Sequence, residues 1–315
     1  MYMQRLILFL LFFLCFESNA QSIRGLVLDN ETNEPIPYAS VYLSSFKSGV
    51  YASENGMFEL KYDSPDDTII VSVIGYTSYQ SKIADMELSG NSIFLEPKAI
   101  ELAEVVVTPS MKKKKMIRLG ARNNLNKRWE GVFTEIKTDG SLSLNVEHCL
   151  FIDGLDVPVV IKKVIVACSI KGEQLEALFR VRFYTKDPET NEPDQIKNKK
   201  DIVKGFTLSK SKTITFDIEN EHIIHPSEGQ FVSFEHIGYR PNSGVDSLGN
   251  NYNIMSVDKT NNEMVRIGYV KSKEGAIAGV KFHGFYYMPF EGNENFFSME
   301  KQMLYLFIQL EVEVP

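Results

Sequence analysis

The sequence lacks the residue patterns from which most catalytic and metal-binding sites are built. It has no phosphate-binding loop, no dinucleotide fingerprint, no His-Glu-x-x-His pair and no Gly-x-Ser-x-Gly element. Among its five histidines, His222 and His225 enclose two β-branched residues and precede a proline, which favours an extended segment over a shared helical face. We therefore predict no catalytic residue, no metal and no cofactor, and we expect the protein not to be an enzyme.

Cysteine is scarce as well, with three residues in the whole chain. Cys15 lies in the apolar run at the N-terminus, which leaves Cys149 and Cys168 for the folded protein. These two thiols can form a disulfide in an oxidising compartment. Each also lies in an apolar, strand-like run, so two buried thiols fit the sequence equally well.

Positive charge is in deficit, with 34 Lys and Arg against 41 Asp and Glu and a net charge of −7. Nucleic-acid binding depends on clustered positive charge that displaces counterions, so we exclude nucleic acid as a partner. The one dense basic cluster starts at the four lysines 112–115. We interpret residues 109–128 as a solvated basic linker, with contact to anionic lipid headgroups or polysaccharide as the alternative.

Long hydrophobic runs are absent after the first twenty residues. Leu6–Phe16 is an eleven-residue apolar run that follows Arg5 and precedes the small residues Ser18 and Ala20. This pattern predicts a signal peptide over residues 1–20 and export to the periplasm or cell envelope. The run is too short to span about 30 Å of hydrocarbon, so we expect a soluble mature chain without a transmembrane span.

Residues 21–108 consist of short β-prone runs separated by turn residues. Pro37–Leu43 alternates in the manner of a half-buried strand, Asn55-Gly56 favours a tight turn, and Thr68–Ile74 is apolar and β-branched. About seven short strands at this spacing predict a β-sandwich.

Five motifs in this block carry a family resemblance. In sequence letters they are IRGLVLD (23–29), EPIPYASV (34–41), SENGMF (53–58), VSVIGY (71–76) and LAEVVV (102–107). Together they resemble the carboxypeptidase-regulatory-like domain, a transthyretin-like β-sandwich of many bacterial envelope proteins. The resemblance implies a non-catalytic accessory module. Many members continue into a TonB-dependent outer-membrane receptor, but only about 200 residues follow here, too few for such a barrel.

Residues 129–315 also alternate with the period of strands. Phe179–Tyr184, Thr213–Ile218 and Leu304–Val312 alternate strictly, and Val159–Ala167 and Val280–Tyr287 are further strand-like runs. Antiparallel sheets with one buried face each predict a second, jelly-roll-like β-sandwich. We thus expect an all-β protein of two separately folding domains, 21–108 and 129–315.

The candidate ligand contacts are aromatic residues near the C-terminus. Phe285, Tyr286 and Tyr287 lie in a dense aromatic stretch, and sugar rings stack on such side chains. Adjacent residues of one strand point to opposite faces, so Phe285 and Tyr286 cannot both fill the core. Core filling by alternate aromatics is the competing interpretation.

These observations favour a binding or scaffolding protein of the cell envelope, whose ligand is a glycan or another envelope protein. Two alternatives stay open. One is a secreted hydrolase that pairs Glu235 with an unidentified carboxylate. The other is an adaptor of a TonB-dependent outer-membrane transporter.

Overall fold

The structure is a computed structural model that describes residues 21–45, 49–98, 114–121, 129–131, 136–138, 141–143, 146–170, 175–207, 213–241, 265–271, 278–282, 286–289, 298–299, 302–306 and 308–314. Side chains are described within 21–45, 49–98, 114–121, 147–168, 176–207, 213–238 and 308–314. The predicted signal peptide lies outside the described residues. None of the described helices is long and apolar enough to cross a membrane.

The N-terminal block folds into seven strands in two sheets. The strands are β1 (Gln21–Asp29), β2 (Ser40–Leu43), β3 (Gly49–Tyr51), β4 (Met57–Tyr62), β5 (Thr68–Ser72), β6 (Tyr79–Lys82) and β7 (Asn91–Leu95), with a 3-10 turn at Ile83–Asp85. One sheet has the order β4-β1-β7 and the other the order β3-β2-β5-β6. The sequence prediction of about seven short strands is therefore confirmed for this block.

Strict alternation builds the core of this block. In β4, Phe58, Leu60 and Tyr62 are buried between the sheets, while the residues between them are exposed. Gly25 in β1 is required by this packing, because a Cβ there would lie 2.7 Å from the ring of Phe58. A side chain at position 25 would displace the ring from the core.

The second block contains the remaining strands. They are β8 (Lys115–Gly120), β9 (Trp129–Gly131), β10 (Ile136–Thr138), β11 (Ser141–Ser143), β12 (Val146–Ile152), β13 (Val159–Ile170), β14 (Leu175–Lys186), β15 (Pro193–Ile196), β16 (Ile202–Phe206), β17 (Thr213–Asp217), β18 (Ile224–His225), β19 (Gln230–Pro241), β20 (Val265–Lys271), β21 (Ala278–Phe282), β22 (Tyr286–Pro289), β23 (Ser298–Met299), β24 (Gln302–Leu306) and β25 (Ile308–Val314). A second 3-10 turn spans Glu219–Glu221. The predicted all-β class is confirmed.

Two large sheets form this second block. A seven-stranded sheet has the order β15-β14-β19-β12-β21-β22, with β16 also paired to β14. A nine-stranded sheet has the order β23-β24-β20-β13-β25-β8, with β17 and β18 on β13 and β9 on β20. Their facing sides share one apolar core, in which Phe179 and Phe234 stack at 4.9 Å between ring centroids.

The predicted basic linker is wrong at Lys115–Gly120. These residues form β8, which pairs antiparallel with β25 at the edge of the nine-stranded sheet. Ile117 and Leu119 alternate with Met116, Arg118 and Gly120 and pack, partly buried, against the core, so this strand has an apolar face that the lysine run obscured. Arg118 in turn meets Glu311 at 3.3 Å, so its charge is paired across the strands.

Two strands predicted as continuous are each divided. The run Val280–Tyr287 forms β21 and β22, which pair antiparallel with Phe282 opposite Tyr286. The run Leu304–Val312 is divided between β24 and β25, which pair with different strands. Alternation along a run predicts extended structure, but it does not reveal where the chain reverses.

Candidate functional site

A cluster of charged side chains lies on the outer face of the seven-stranded sheet. Because side chains alternate along β14, Phe179, Val181 and Phe183 enter the core while Arg180 and Arg182 point to the other side. Arg180 is nevertheless only 1% exposed, although it faces away from the core. This face is therefore covered by other parts of the chain.

Strand register brings two glutamates to the arginines. Arg180 pairs across strands with Glu235 of β19, and Glu235 pairs with Glu147 of β12. Arg180 Nη1 lies 3.3 Å from Glu235 Oε2, whereas Arg182 Nη1 lies 3.5 Å from Glu147 Oε2 and 3.8 Å from Glu235 Oε2. Arg182 thus bridges both carboxylates, which are 1% and 2% exposed.

A third carboxylate comes from the segment that precedes β16. Asp201 Oδ2 lies 3.2 Å from Arg180 Nη2, and Asp201 Oδ1 lies 3.6 Å from Arg182 Nε. Asn198 holds this segment on the sheet, since its side chain accepts a hydrogen bond from the Phe183 amide and donates one to the Val181 carbonyl. Local hydrogen bonding to β14 therefore places Asp201 over both guanidinium groups.

Two hydroxyl groups donate hydrogen bonds to Glu147. The Tyr184 hydroxyl donates to Glu147 Oε1 at 2.7 Å, and the Ser233 hydroxyl donates to the same oxygen. With Arg182 at its other oxygen, Glu147 accepts from donors on β14 and β19. These contacts tie the three neighbouring strands β12, β14 and β19 together.

The cover over the cluster is the N-terminal domain. Tyr51 at the end of β3 donates its hydroxyl to Glu235 Oε1, and its ring lies 5.1 Å from Arg180 Cζ. Arg180 Nη2 also donates to the backbone carbonyl of Tyr38. Leu178 and Ile237 pack around Tyr51, so a small apolar rim surrounds the polar contacts. We call this set of contacts the domain joint.

Burial sets the electrostatics of the domain joint. It raises the pKa of Glu235 above the usual 4.5, and nearby Glu147 adds to that effect, whereas Arg180 and Arg182 oppose it. Burial also raises the pKa of Tyr51 well above its usual range, so the hydroxyl stays neutral. On the other face of the sheet, burial against Phe179 lowers the pKa of His236 to about 4.

The chemistry of this cluster is that of an internal ion network. The hydrolase hypothesis left the partner of Glu235 unidentified, and a carboxylate that lies opposite Glu235 on the neighbouring strand is that of Glu147. General acid and base catalysis needs both carboxyls to reach a substrate. Here both are buried, and Tyr51 of the N-terminal domain lies on Glu235. Within the described residues, no three metal-ligating side chains converge on a common point.

The sequence-predicted ligand residues fall largely beyond the described part of the chain. Phe285 lies outside the described residues. Tyr286 and Tyr287 lie on β22, the last strand of the seven-stranded sheet, but their side chains are not among those described. A role in ligand contact therefore stays a prediction for all three.

The two cysteines lie in different environments. Cys168 belongs to the core between the two sheets, whereas Cys149 packs with Tyr184 and Phe231 on the outer face. Both are buried thiols, and they are not joined to each other by a disulfide. Of the two interpretations, the structure contains the buried thiols, because Cys168 on the nine-stranded sheet faces the core between the sheets, whereas Cys149 faces the outer side of the seven-stranded sheet.

Sequence reasoning missed Arg180, Arg182, Glu147 and Asp201. The signal was present in the letters FRVRFY at 179–184, where two arginines alternate with core residues. Alternation normally places such charges in water, so the sequence alone predicted a solvated face. The N-terminal domain and the segment that carries Asp201 cover this face and change that outcome.

The fold and the domain joint define an all-β protein in which a small sandwich docks on the outer face of a larger one. Residues 23–107 match the family described as CarboxypepD_reg-like domain, so the resemblance seen in the sequence is confirmed. The N-terminal block is a CarboxypepD_reg-like domain.

Comparisons with curated proteins and with solved structures add little about the rest of the chain. No curated protein matches the chain significantly. A candidate carbohydrate-binding protein from Bacteroides uniformis aligns over 78% of this chain and 97% of its own, with 11% identity and a TM-score of 0.19. A structure of infectious bursal disease virus, Gx strain, aligns over 87% of this chain and 59% of its own, with 12% identity and a TM-score of 0.21. At TM-scores this low neither structure carries an argument about this chain.

Proposed function

We propose that this chain is a non-catalytic binding or scaffolding protein of the cell envelope. The observation that carries the proposal is the domain joint. The charged residues that a hydrolase would expose are here 1% to 7% exposed and are used to fix one domain on the other. Contacts that hold two sandwiches together suit a protein that presents surfaces to a partner.

The exposed face of the N-terminal domain supports a contact role. On the sheet that does not contain Tyr51, Phe94 is 44% exposed and Met57 is 39% exposed. They lie in register with Leu28 and Leu26 of β1, which are half-buried. Neighbouring apolar side chains on an outer sheet face are typical of a surface that meets another molecule.

The ligand we favour is a glycan or another envelope protein. The signal-peptide pattern supports export, and the aromatic stretch around Tyr286 supports a sugar-binding platform in the second block. The family match supports an accessory module, which also fits an adaptor beside an outer-membrane transporter.

Binding measurements test the proposal directly. The full chain is screened on a glycan array, and each hit is measured by calorimetry with wild type and with the double variant Tyr286→Ala and Tyr287→Ala. We expect the double variant to lose at least about tenfold in affinity, which corresponds to about 1.4 kcal/mol. The matched control is Phe94→Ala, an exposed aromatic in the other domain. Equal sugar binding by a folded double variant would contradict the aromatic platform.

A second arm separates scaffold from enzyme. Wild type and Glu235→Gln are incubated with a panel of glycosides and esters, and product release is followed over time. We expect no turnover from either protein. Turnover by wild type that disappears in Glu235→Gln would establish the hydrolase and overturn the proposal.

A further inference from the structure

Gln21 is the residue that follows the predicted signal peptide. The pattern ends with the small residues Ser18 and Ala20, and cleavage after Ala20 would make Gln21 the first residue of the exported chain. In the structure Gln21 belongs to β1, the strand Gln21–Asp29. The new terminus would therefore be part of the first sheet and not the end of a loose tail.

The position of Gln21 in the sheet is fixed by its register. It lies opposite Tyr62 of β4 in an antiparallel pair. Further along the same pair, the Val27 amide donates to the Gly56 carbonyl at 2.9 Å. Hydrogen-bonded pairs recur at every second residue of such a ladder, so Gln21 and Tyr62 form one as well, with Gln21 N donating to the Tyr62 carbonyl.

The side chain of Gln21 is placed where it can reach its own backbone nitrogen. The residue is exposed at the end of the strand, whereas Ile23 and Val27, which follow on the same face, are buried in the core. A neutral terminal amine has two N–H groups and a lone pair, and one N–H suffices for the Tyr62 carbonyl. The hydrogen bond to Tyr62 therefore leaves the lone pair available for reaction with the side chain.

A glutamine at a free N-terminus can react with itself. The lone pair of the α-nitrogen attacks the side-chain Cδ, a new N–Cδ bond closes a five-membered lactam, and the Cδ–Nε2 bond breaks. The side-chain nitrogen leaves as ammonia with one proton from the amine, so the step needs neither an oxidant nor a reductant. The attacking amine has to be neutral, and a fraction of any α-amino group is neutral near pH 7.

We propose that Gln21 is a modification site, at which the exported chain closes its terminal glutamine to pyroglutamate. The inference rests on the export proposed above, because cleavage after Ala20 is what creates the amine. It goes one step further, since it assigns a covalent state to the terminus. The lactam keeps one N–H, which the Tyr62 carbonyl can still accept, so the modified residue fits the existing ladder.

The place of β1 in the fold gives the lactam a consequence. β1 is the middle strand of the sheet β4-β1-β7, and Ile23 is buried in the core of the N-terminal domain. Aminopeptidases need a free α-amino group, and removal of three residues from an unblocked terminus would delete Ile23. Its loss would leave a cavity in a closely packed core. A lactam at residue 21 withholds the α-amino group and so protects the middle strand.

The experiment measures the intact mass of the exported protein. The full chain is produced with its own first twenty residues in a bacterium that exports it, extracted from the cell envelope and weighed by mass spectrometry without storage. Gln21→Asn is the matched control, because asparagine keeps the amide but would have to close a strained four-membered ring. Tandem mass spectrometry of the N-terminal peptide locates any loss of ammonia.

We expect most wild-type molecules to start at residue 21 and to be lighter than the unmodified chain by one ammonia, with the loss located at Gln21. Gln21→Asn should start at the same residue and keep its full mass. A wild-type chain that starts at Gln21 and retains its ammonia would overturn the modification and leave export intact. A chain that retains Met1, or starts at another residue, would overturn the predicted cleavage and the modification with it. An equal loss from Gln21→Asn would place the lost ammonia elsewhere and would also overturn the assignment.

Discussion

The two faces of the seven-stranded sheet are both buried, yet they are built from opposite chemistry. The inner face presents residues such as Phe179, Val181 and Phe234 to the other sheet. The outer face presents Arg180 and Glu235, one residue away in the same strands, to the N-terminal domain. Burial alone therefore does not select apolar residues; the kind of contact that has to be made decides between them.

The two faces differ in how specifically their contacts fix the position of a partner. Apolar contacts are non-directional, and a core accepts several arrangements of similar volume. Ion pairs and hydrogen bonds require particular atoms at particular distances, so an error in orientation leaves charges unpaired. We interpret the inner face as the source of stability of the second block and the outer face as the device that fixes the orientation of the first.

The largest loss of stability should follow from a substitution on the inner face of the seven-stranded sheet. Phe234 is fully buried and stacks on Phe179, so Phe234→Ala leaves a cavity in the shared core. We expect a loss of about 3–5 kcal/mol in the free energy of unfolding, measured by urea denaturation. Phe94→Ala on the exposed sheet face is the control and should change stability little. Similar losses for both would show that the inner face is not the main core.

A smaller loss of stability should follow from breaking the ion pairs on the outer face of the same sheet. Arg180→Met keeps most of the side-chain volume but removes the partner of Glu235 and Asp201. We expect about 3 kcal/mol, the lower end for a broken buried ion pair, because Asp201 keeps access to water. The double variant with Glu235→Leu should regain part of this loss. No recovery would mean that Glu235 contributes nothing through Arg180.

A milder substitution, at Tyr51, tests the contact between the two domains. Tyr51→Phe keeps the ring beside Arg180 but removes the hydroxyl that meets Glu235. We expect a loss of about 1–2 kcal/mol, because a buried carboxyl group loses one hydrogen bond. Thermal unfolding followed by circular dichroism measures the change. An unchanged melting temperature would contradict the direct contact between the two domains.

The smallest loss of stability should follow from breaking an arginine–glutamate ion pair that is exposed to solvent. Arg118 meets Glu311 at 3.3 Å on the surface of the nine-stranded sheet, with half of its side chain in water. Arg118→Gln should cost about 0–1 kcal/mol, and the difference should vanish at high salt. Urea denaturation at two salt concentrations checks this. A loss comparable with that of Arg180→Met would remove burial as the reason for the contrast.

Much of the strand content followed from alternation and turn residues, and the N-terminal domain followed from its ordered motifs. The two main errors, at β8 and at the domain joint, share one physical cause. At Lys115–Gly120 the basic residues hid a strand whose ion-pair partners, such as Glu311, lie about 190 positions further along the chain. Pairing over such distances leaves no local trace, and the same is true of the domain joint.

Local sequence determined some features completely, as two heptapeptides that differ at one position show. DNETNEP at 29–35 and DPETNEP at 187–193 lie in different domains. In each, the aspartate side chain accepts from the amides two and three residues ahead, at 2.8–2.9 Å. The asparagine four residues after it has a positive φ, 58° in one copy and 59° in the other. The turn forms the same way in both places because the hydrogen bonds from its amides to the aspartate side chain lie within the seven residues.

What surrounds the two turns was decided only by the tertiary structure. Asp29 is buried and also accepts from the Tyr76 hydroxyl at 2.7 Å, whereas Asp187 is partly exposed. The charged residues of β14 likewise have surroundings that distant parts of the chain decide. The sequence placed Arg180 and Arg182 on one face of a strand, since alternation is a property of the backbone. Whether that face meets water or a second domain depends on distant residues such as Tyr51, and only the folded chain brings them together.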